Sequence, residues 1–113
     1  MSSLKISGPY AITPDLNQTN DLLNKTRQVL EGGVKLVQYR NKSANDSLRR
    51  EQAKLLLPLC REHNALLIIN DHLEIAIEID ADGVHVGKND VSVSAAKNQL
   101  GQNKIGEPHV ITS

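Results

Sequence analysis

The sequence predicts an α/β domain in which parallel strands alternate with helices. Short apolar segments of strand length alternate with longer segments whose apolar residues recur at helical spacing. The connections between them are short, and residues 65–69 form an unbroken apolar run, as in a strand covered on both faces. Alternation of this kind is typical of parallel strands joined by right-handed helical crossovers. With 113 residues, the chain has room for one modest domain.

The first part of the chain predicts a strand, a helix and a second strand. Residues 10–13 form the first strand, which a following proline ends. Thr19 or Asn20 is expected to cap the helix. Its buried face is formed by the residues at helical spacing, namely Leu22, Leu23, Thr26, Val29 and Leu30. The helix ends at the glycine pair 32–33, and residues 34–39 form the second strand.

The middle of the chain predicts a long helix and a third strand. The helix runs to about residue 63 and starts at one of three polar residues, Ser43, Asn45 or Asp46. Its apolar stripe includes Leu48, Gln52, Leu55 and Leu59. Pro58 lies inside this pattern and is expected to kink the helix or remove one hydrogen bond. The third strand is the apolar run 65–69.

The last part of the chain continues the alternation less clearly. A short helix at 73–79 precedes a fourth strand at 83–86, and a further helix is predicted at 92–100. A fifth strand is predicted to begin at residues 104–105. We expect one domain over residues 1–113 whose ends, 1–8 and 107–113, are poorly ordered because they lack a regular pattern.

Composition excludes several classes of protein. The formal net charge is +0, and the absence of a long basic block gives no reason to expect nucleic acid or an anionic membrane as a partner. The longest apolar run is too short to span a bilayer, and the N-terminus lacks the apolar core of a signal peptide. A single cysteine, Cys60, lies among leucines and is expected to be a buried thiol. These features favour a cytoplasmic protein.

Polar side chains follow the second strand. Gln38, Arg40 and Lys42 are two residues apart, so that in an extended chain they share one face. Two cations beside an amide suit an anionic group such as a phosphate. The alternative is an exposed strand end with ordinary surface charges.

Polar side chains also follow the third and fourth strands. Asn70 and Asp71 end the third strand, and Asp90 comes shortly after the fourth. Because the carboxyl ends of parallel strands lie at one edge, these groups and the two cations should converge there. Carboxylates and cations together suit Mg²⁺ bound to a diphosphate. The alternative is that Asn70, Asp71 and Asp90 only cap the helices that follow.

Two other polar residues favour structural roles. Asp82 precedes a glycine and is interpreted as a turn residue. His85 alternates with valines in the fourth strand and is interpreted as an interior histidine rather than a catalyst.

These segments closely resemble the thiamine-phosphate synthase family. The resemblance lies in Gly-Gly-Val-Lys-Leu-Val-Gln-Tyr-Arg-Asn-Lys at 32–42, Ile-Ile-Asn-Asp at 68–71 and Ala-Asp-Gly-Val-His-Val-Gly-Lys-Asn-Asp at 81–90, with residues 10–13 also fitting. It implies a (β/α)8 TIM barrel, of which this chain would be about half. It also implies a transferase of thiamine biosynthesis that joins hydroxymethylpyrimidine diphosphate to thiazole phosphate and releases diphosphate.

The resemblance implies a role for each candidate residue. Gln38 would contact the pyrimidine, while Arg40, Lys42 and Asn70 would hold the diphosphate. Arg40 and Lys42 would be the catalytic cations because they stabilise the leaving group. Mg²⁺ would be the cofactor, bound by the two remaining carboxylates, Asp71 and Asp90.

The sequence also departs from the family pattern. Lys88 stands where the family usually has glutamine, and residues 107–108 replace a segment with a phosphate-binding serine. A barrel needs about 200–250 residues, so the chain is expected to be a truncated, N-terminal half. Half a barrel would leave its first and fourth strands as open edges, through which we expect self-association.

The sequence leaves two alternatives open. One is an inactive remnant that at most binds Mg²⁺ and diphosphate. The other is the related thiazole tautomerase-like branch, which shares the barrel but lacks the diphosphate site. The presence of Arg40, Lys42, Asn70, Asp71 and Asp90 argues against this second alternative.

Overall fold

The structure, a computed structural model, describes residues 4–86 and 109–112 of the chain. The strands in these residues are β1 (Lys5–Ser7), β2 (Tyr10–Ile12), β3 (Leu36–Tyr39), β4 (Leu66–Asn70), β5 (Gly83–Val86) and β6 (His109–Thr112). The helices are α1 (Thr19–Glu31), α2 (Asp46–Glu62) and α3 (Leu73–Ile79). Strand and helix alternate from β2 to β5, which confirms the predicted α/β class.

All six strands form one sheet in the order of the chain. Strands β2 to β6 pair in parallel, whereas β1 pairs with β2 in the antiparallel direction. Helices α1, α2 and α3 each return the chain to the position beside the strand just completed. Such a singly wound sheet is the arrangement expected of a segment of a (β/α) barrel.

The alternation of side chains separates the sheet into an apolar face and a polar face. Val37 and Tyr39 of β3 lie beside Leu67 and Ile69 of β4, and all four are at most 2% exposed and belong to the core beneath the helices. The residues between them point to the opposite face, where Gln38 lies beside Ile68. The polar groups are therefore separated from the helix-covered core by a single layer of backbone.

The observed ends of the helices differ only slightly from those predicted from the sequence. The N-cap of α2 is Asn45, whose side chain accepts a hydrogen bond from Leu48 N at 2.8 Å. The N-cap of α1 is Gln18 rather than the predicted Thr19 or Asn20, and no side chain caps this helix. Pro58 is exposed and lies within α2, which continues to its end at residue 62. None of the helices in the described residues is both long and apolar enough to cross a bilayer.

Two strands were not predicted, and they change the edges of the sheet. A turn at Gly8, whose φ of 59° favours glycine, folds β1 back onto β2. At the other end β6 pairs with β5. The prediction that the first and fourth strands of the βα series are open edges is therefore wrong, since both are paired. The predicted helix at 92–100 and strand at 104–105 lie outside the described residues.

Candidate active site

An open cavity of about 420 Å³ lies on the polar face at the carboxyl ends of the parallel strands. Its walls are formed by Tyr10, Ile12, Gln38, Arg40, Lys42, Asn70, Asp71 and His85. The structure thus brings together Gln38, Arg40, Lys42, Asn70 and Asp71 from the sequence-predicted set. Asp90 lies outside the described residues.

Gln38 is held at the base of this cavity. It is 3% exposed, and its amide donates a hydrogen bond to the hydroxyl of Tyr10 on β2. Tyr10 and Ile12 also line the cavity, although the sequence indicated only that they belong to the first strand. Because a buried amide needs polar partners, this bond fixes the orientation of the Gln38 side chain in the cavity.

The backbone that carries the two cations is held by the segment after β2. The Thr13 hydroxyl accepts a hydrogen bond from Arg40 N at 2.9 Å and donates one to Arg40 O at 3.2 Å. The Asp15 carboxylate accepts a hydrogen bond from Lys42 N at 3.1 Å. Arg40 and Lys42 therefore start from fixed backbone positions, while their side chains extend into the cavity.

A buried polar network lies under the same loop. The Asn41 amide, 4% exposed, donates to Leu16 O and to Gln52 Oε1, both at 3.2 Å. Gln52 lies on α2, is fully buried, and receives a further hydrogen bond from the Tyr39 hydroxyl. Arg49 Nε donates to Asn41 O at 2.8 Å. A satisfied network of this kind makes the loop rigid.

The two cations of the cavity, Arg40 and Lys42, form no ion pair with the residues that the structure describes. Several other cations have a carboxylate within 4 Å; for example, Arg49 lies 3.0 Å from Asp46 and Arg50 lies 3.1 Å from Glu78. A site with uncompensated positive charge favours an anionic ligand.

Asp71 is the one predicted metal ligand that the structure describes. Its backbone is left-handed, with φ of 63°, and its N–H donates to His85 O at 2.8 Å, which ties the end of β4 to β5. Its exposed carboxylate accepts a hydrogen bond from the Asn70 amide at 3.3 Å. The N-cap of α3 is His72, so the alternative that Asn70 or Asp71 caps this helix is wrong.

The described residues fit a metal ion only if the ligand supplies part of its coordination shell. No group of three histidine, cysteine or acidic side chains in the described part of the chain could hold an ion alone. Mg²⁺ typically takes one or two carboxylates and completes its shell with phosphate oxygens and water. Asp71, next to two cations that would bind a phosphate, matches that pattern.

Other residues considered in the sequence have structural roles or also line the cavity. The Asp82 carboxylate accepts a hydrogen bond from Leu67 N at 2.9 Å, so it ties the segment before β5 to β4. His85 is half-buried and lines the cavity, which its alternation with valines did not indicate. Burial raises the pKa of Tyr39 to about 12 and that of Cys60 to about 12, so neither is ionised near neutral pH. Cys60 is buried, as predicted.

Comparison with known proteins gives a consistent result. The sequence model of a family described as thiamine monophosphate synthase matches residues 9–106. The thiamine-phosphate synthase of Nitrosomonas eutropha is 50% identical over 105 residues, which cover 93% of this chain and 50% of that protein. The corresponding protein of Nitrosospira multiformis is 50% identical over 101 residues, covering 89% and 43% of the two chains. The chain therefore spans about half the length of the curated relatives it matches.

A solved structure shows the same fold. The thiamine phosphate pyrophosphorylase of Pyrococcus furiosus superposes with a TM-score of 0.73 and 32% sequence identity. The superposition covers 91% of this chain and 48% of that one. The superposed part of the chain therefore has the fold of that protein.

Proposed function

The chain belongs to the thiamine monophosphate synthase family, and from this premise we propose that it acts in a transferase reaction joining hydroxymethylpyrimidine diphosphate to thiazole phosphate. One observation carries the proposal. Arg40 and Lys42 extend, without ion-pair partners in the described residues, into a cavity that also holds Asn70 and Asp71. Uncompensated cations beside an exposed carboxylate suit a diphosphate that shares a divalent cation with the protein.

In this reaction the chain's residues stabilise the departing group. The bond between the pyrimidine methylene carbon and a diphosphate oxygen breaks, and diphosphate leaves with the electron pair. A bond then forms from the same carbon to the thiazole nitrogen. Arg40, Lys42 and the Asn70 amide donate to the oxygens on which negative charge grows. Gln38, oriented by Tyr10, contacts the pyrimidine ring.

We propose Mg²⁺ as the cofactor, with Asp71 and Asp90 as its protein ligands. When bound, the ion would neutralise charge on the diphosphate. The support is the exposed Asp71 carboxylate on the cavity wall and the proximity of two cations suited to phosphate. A second candidate function is binding of Mg²⁺ and diphosphate without turnover, because the cavity chemistry by itself indicates an anion site.

The binding step is tested by calorimetric titration of inorganic diphosphate, with and without Mg²⁺. Asp71→Asn should weaken Mg²⁺-dependent binding about ten- to hundredfold, since it removes one charged contact. Asp80→Asn is the matched control, because Asp80 is also exposed and has a left-handed backbone, with φ of 60°. Asp80 follows α3 and precedes β5, so it lies near the amino ends of the parallel strands, away from the cavity. Equal affinities in both variants would refute the site.

Turnover separates the candidates. Formation of thiamine phosphate from the two substrates, dependent on Mg²⁺ and lost in Asp71→Asn, is the result expected of a synthase. Diphosphate binding without product would support the second candidate. Activity in a tautomerase assay that is indifferent to Asp71→Asn would contradict both.

We also propose that the chain works in the cytosol and associates with itself through the edges of its sheet. The buried, protonated Cys60 fits a reducing compartment. In the described residues the sheet ends at β1 and β6, and β1 presents the exposed side chain of Ile6.

A further inference from the structure

Arg49, in the first turn of α2, contacts the backbone of the loop that carries Lys42. Its Nε donates a hydrogen bond to Asn41 O at 2.8 Å, and its Nη2 donates one to Lys42 O at 3.3 Å. Its Nη1 donates to the Asp46 carboxylate at 3.0 Å. Only 13% of the Arg49 side chain is exposed, and it is not one of the described residues that line the candidate active site. Any effect of Arg49 on a ligand must therefore pass through the loop.

The two carbonyl groups that Arg49 holds belong to the peptide units on either side of the Lys42 Cα atom. The N–H groups of the same two units also have partners. Lys42 N donates to the Asp15 carboxylate at 3.1 Å, and Ser43 N donates to Asn41 Oδ1 at 3.2 Å. Each planar unit is thus held at both ends. Because the two planes together set φ and ψ of Lys42, they set the direction in which its side chain leaves the backbone.

The other cation of the cavity is held in a different way. Arg40 N donates to the Thr13 hydroxyl at 2.9 Å, and Arg40 O accepts from the same hydroxyl at 3.2 Å. Neither bond involves Arg49. The loss of Arg49 should therefore displace Lys42 and leave the backbone of Arg40 in place.

We propose that Arg49 is a positioning residue, which fixes the Lys42 side chain for diphosphate binding without contacting the ligand. The inference rests on the function proposed above. A planar guanidinium holds two carbonyl groups at a fixed angle, which the single ammonium group of a lysine does not reproduce. The positive charge of Arg49 is paired with Asp46, so the proposed effect depends on the geometry of the loop rather than on direct attraction to the ligand.

The first test is calorimetric titration of the 113-residue chain with inorganic diphosphate in the presence of Mg²⁺. Arg49→Gln should weaken binding about three- to tenfold, as expected when one charged contact is misplaced. Arg49→Lys should weaken it to a similar extent, because lysine keeps the charge but not the planar fork. The control is Arg50→Gln, which makes the same charge change at the neighbouring residue. Arg50 pairs with Glu78 on α3, so this variant should keep the affinity within about twofold.

A double-mutant cycle separates positioning from a general loss of structure. In a Lys42→Ala background, Arg49→Gln should change diphosphate affinity by less than about twofold, because no side chain remains to be positioned. A general loss of structure would weaken binding in both backgrounds. An undiminished effect of Arg49→Gln in the Lys42→Ala background would overturn the proposal, as would full affinity in Arg49→Lys.

Amide hydrogen exchange, followed by NMR, tests the hydrogen bonds from Arg49 without a ligand. The Lys42 and Ser43 amides should exchange about three- to tenfold faster in Arg49→Gln than in the unsubstituted chain, and at unchanged rates in Arg50→Gln. Unchanged rates in Arg49→Gln would overturn the proposal. Faster exchange in Arg49→Gln together with no diphosphate binding by the unsubstituted chain would instead refute the proposed function, and with it the role of Arg49 in binding, but not its hold on the loop.

Discussion

The backbone positions of Arg40 and Lys42 depend on residues outside the wall of the candidate active site. Thr13 and Asp15 hold the backbone on one side, and the Asn41–Gln52 pair supports it from below. A cation is effective toward a phosphate only if it is already in place when the ligand binds. The residues beneath the loop should therefore affect both stability and ligand affinity.

Replacement of Gln52 by leucine should destabilise the protein by about 2–4 kcal/mol, because the buried hydroxyl of Tyr39 loses its acceptor and Asn41 loses one of its partners. Urea unfolding monitored by circular dichroism measures the change. The control is Gln28→Leu, which makes the same substitution at an exposed position of α1 and should change stability by less than about 0.5 kcal/mol. Equal effects at the two positions would refute the role of the network.

Stability should fall at alkaline pH. Burial raises the pKa of Tyr39 from 10.0 to about 12 and that of Cys60 from 9.0 to about 12. Once the pH exceeds the unperturbed pKa of a group, the unfolded chain has lost a proton that the folded chain keeps. The free energy of unfolding therefore decreases as pH rises. The slope approaches about 1.4 kcal/mol per pH unit for each group.

Urea unfolding midpoints between pH 8 and pH 10.5 test this pH dependence. Cys60→Ala should flatten the decrease between pH 9 and pH 10, whereas Tyr39→Phe should flatten it only above pH 10. The relevant quantity is the slope, since each substitution also lowers stability at all pH values. Slopes that match the unsubstituted chain in both variants would contradict the assignment.

The residues that face the cavity were easier to predict than those that support it. Gln38, Arg40 and Lys42 are recognisable because the period of two continues past the strand end. Gln52 is not, because its partners Leu16 and Tyr39 are distant in sequence and its position on an apolar stripe indicates only that it is buried. His85 lines the cavity but could not be predicted to do so, since a strand position between two valines can face either side of the sheet.

Helices and strands long enough to show a clear hydrophobic periodicity were predicted with nearly correct bounds. The predicted helix at 73–79 and strand at 83–86 have the bounds of α3 and β5. Strand β1 was missed because three residues are too few to show an alternation, and its formation depends on the turn at Gly8 and on pairing with β2. Tertiary pairing, rather than local propensity, determines such a strand.

Helix α2 contains a proline that its packing tolerates. Pro58 has no N–H to donate within the helix, yet α2 continues for another turn because its apolar face, including Leu56 and Leu59, is buried against the sheet. Pro58→Ala should therefore stabilise the protein, by about 1–3 kcal/mol, since it restores a hydrogen bond and relieves steric conflict.

Thermal and urea unfolding of this variant provide the measurement. Pro9→Ala is the control, because Pro9 lies in the turn between β1 and β2, where proline restricts the unfolded chain and its loss should lower stability slightly. A loss of stability in Pro58→Ala comparable to that of Pro9→Ala would show that α2 is built around the proline.

At the scale of the molecule, residues 4–86 and 109–112 form a singly wound sheet with helices α1, α2 and α3 packed on one face. The relatives it matches are about twice its length, and the described sheet ends at β1 on one side and β6 on the other. Edge strands expose backbone donors and acceptors that can pair with another chain. The outer strands of the described sheet therefore favour self-association, which the composition of the chain alone does not predict.

We expect the chain to self-associate through β1, which pairs on one side only within the described sheet and exposes 55% of Ile6. Ile6→Lys places a charge on that edge and should shift the sedimentation velocity profile toward the monomer over a concentration series. Leu55→Lys is the matched control, because Leu55 is also a large exposed apolar residue, at 44%, but lies on α2 away from the sheet edge. A monomer at all concentrations would refute the expectation, and a larger shift in Leu55→Lys than in Ile6→Lys would move the contact to the helical face.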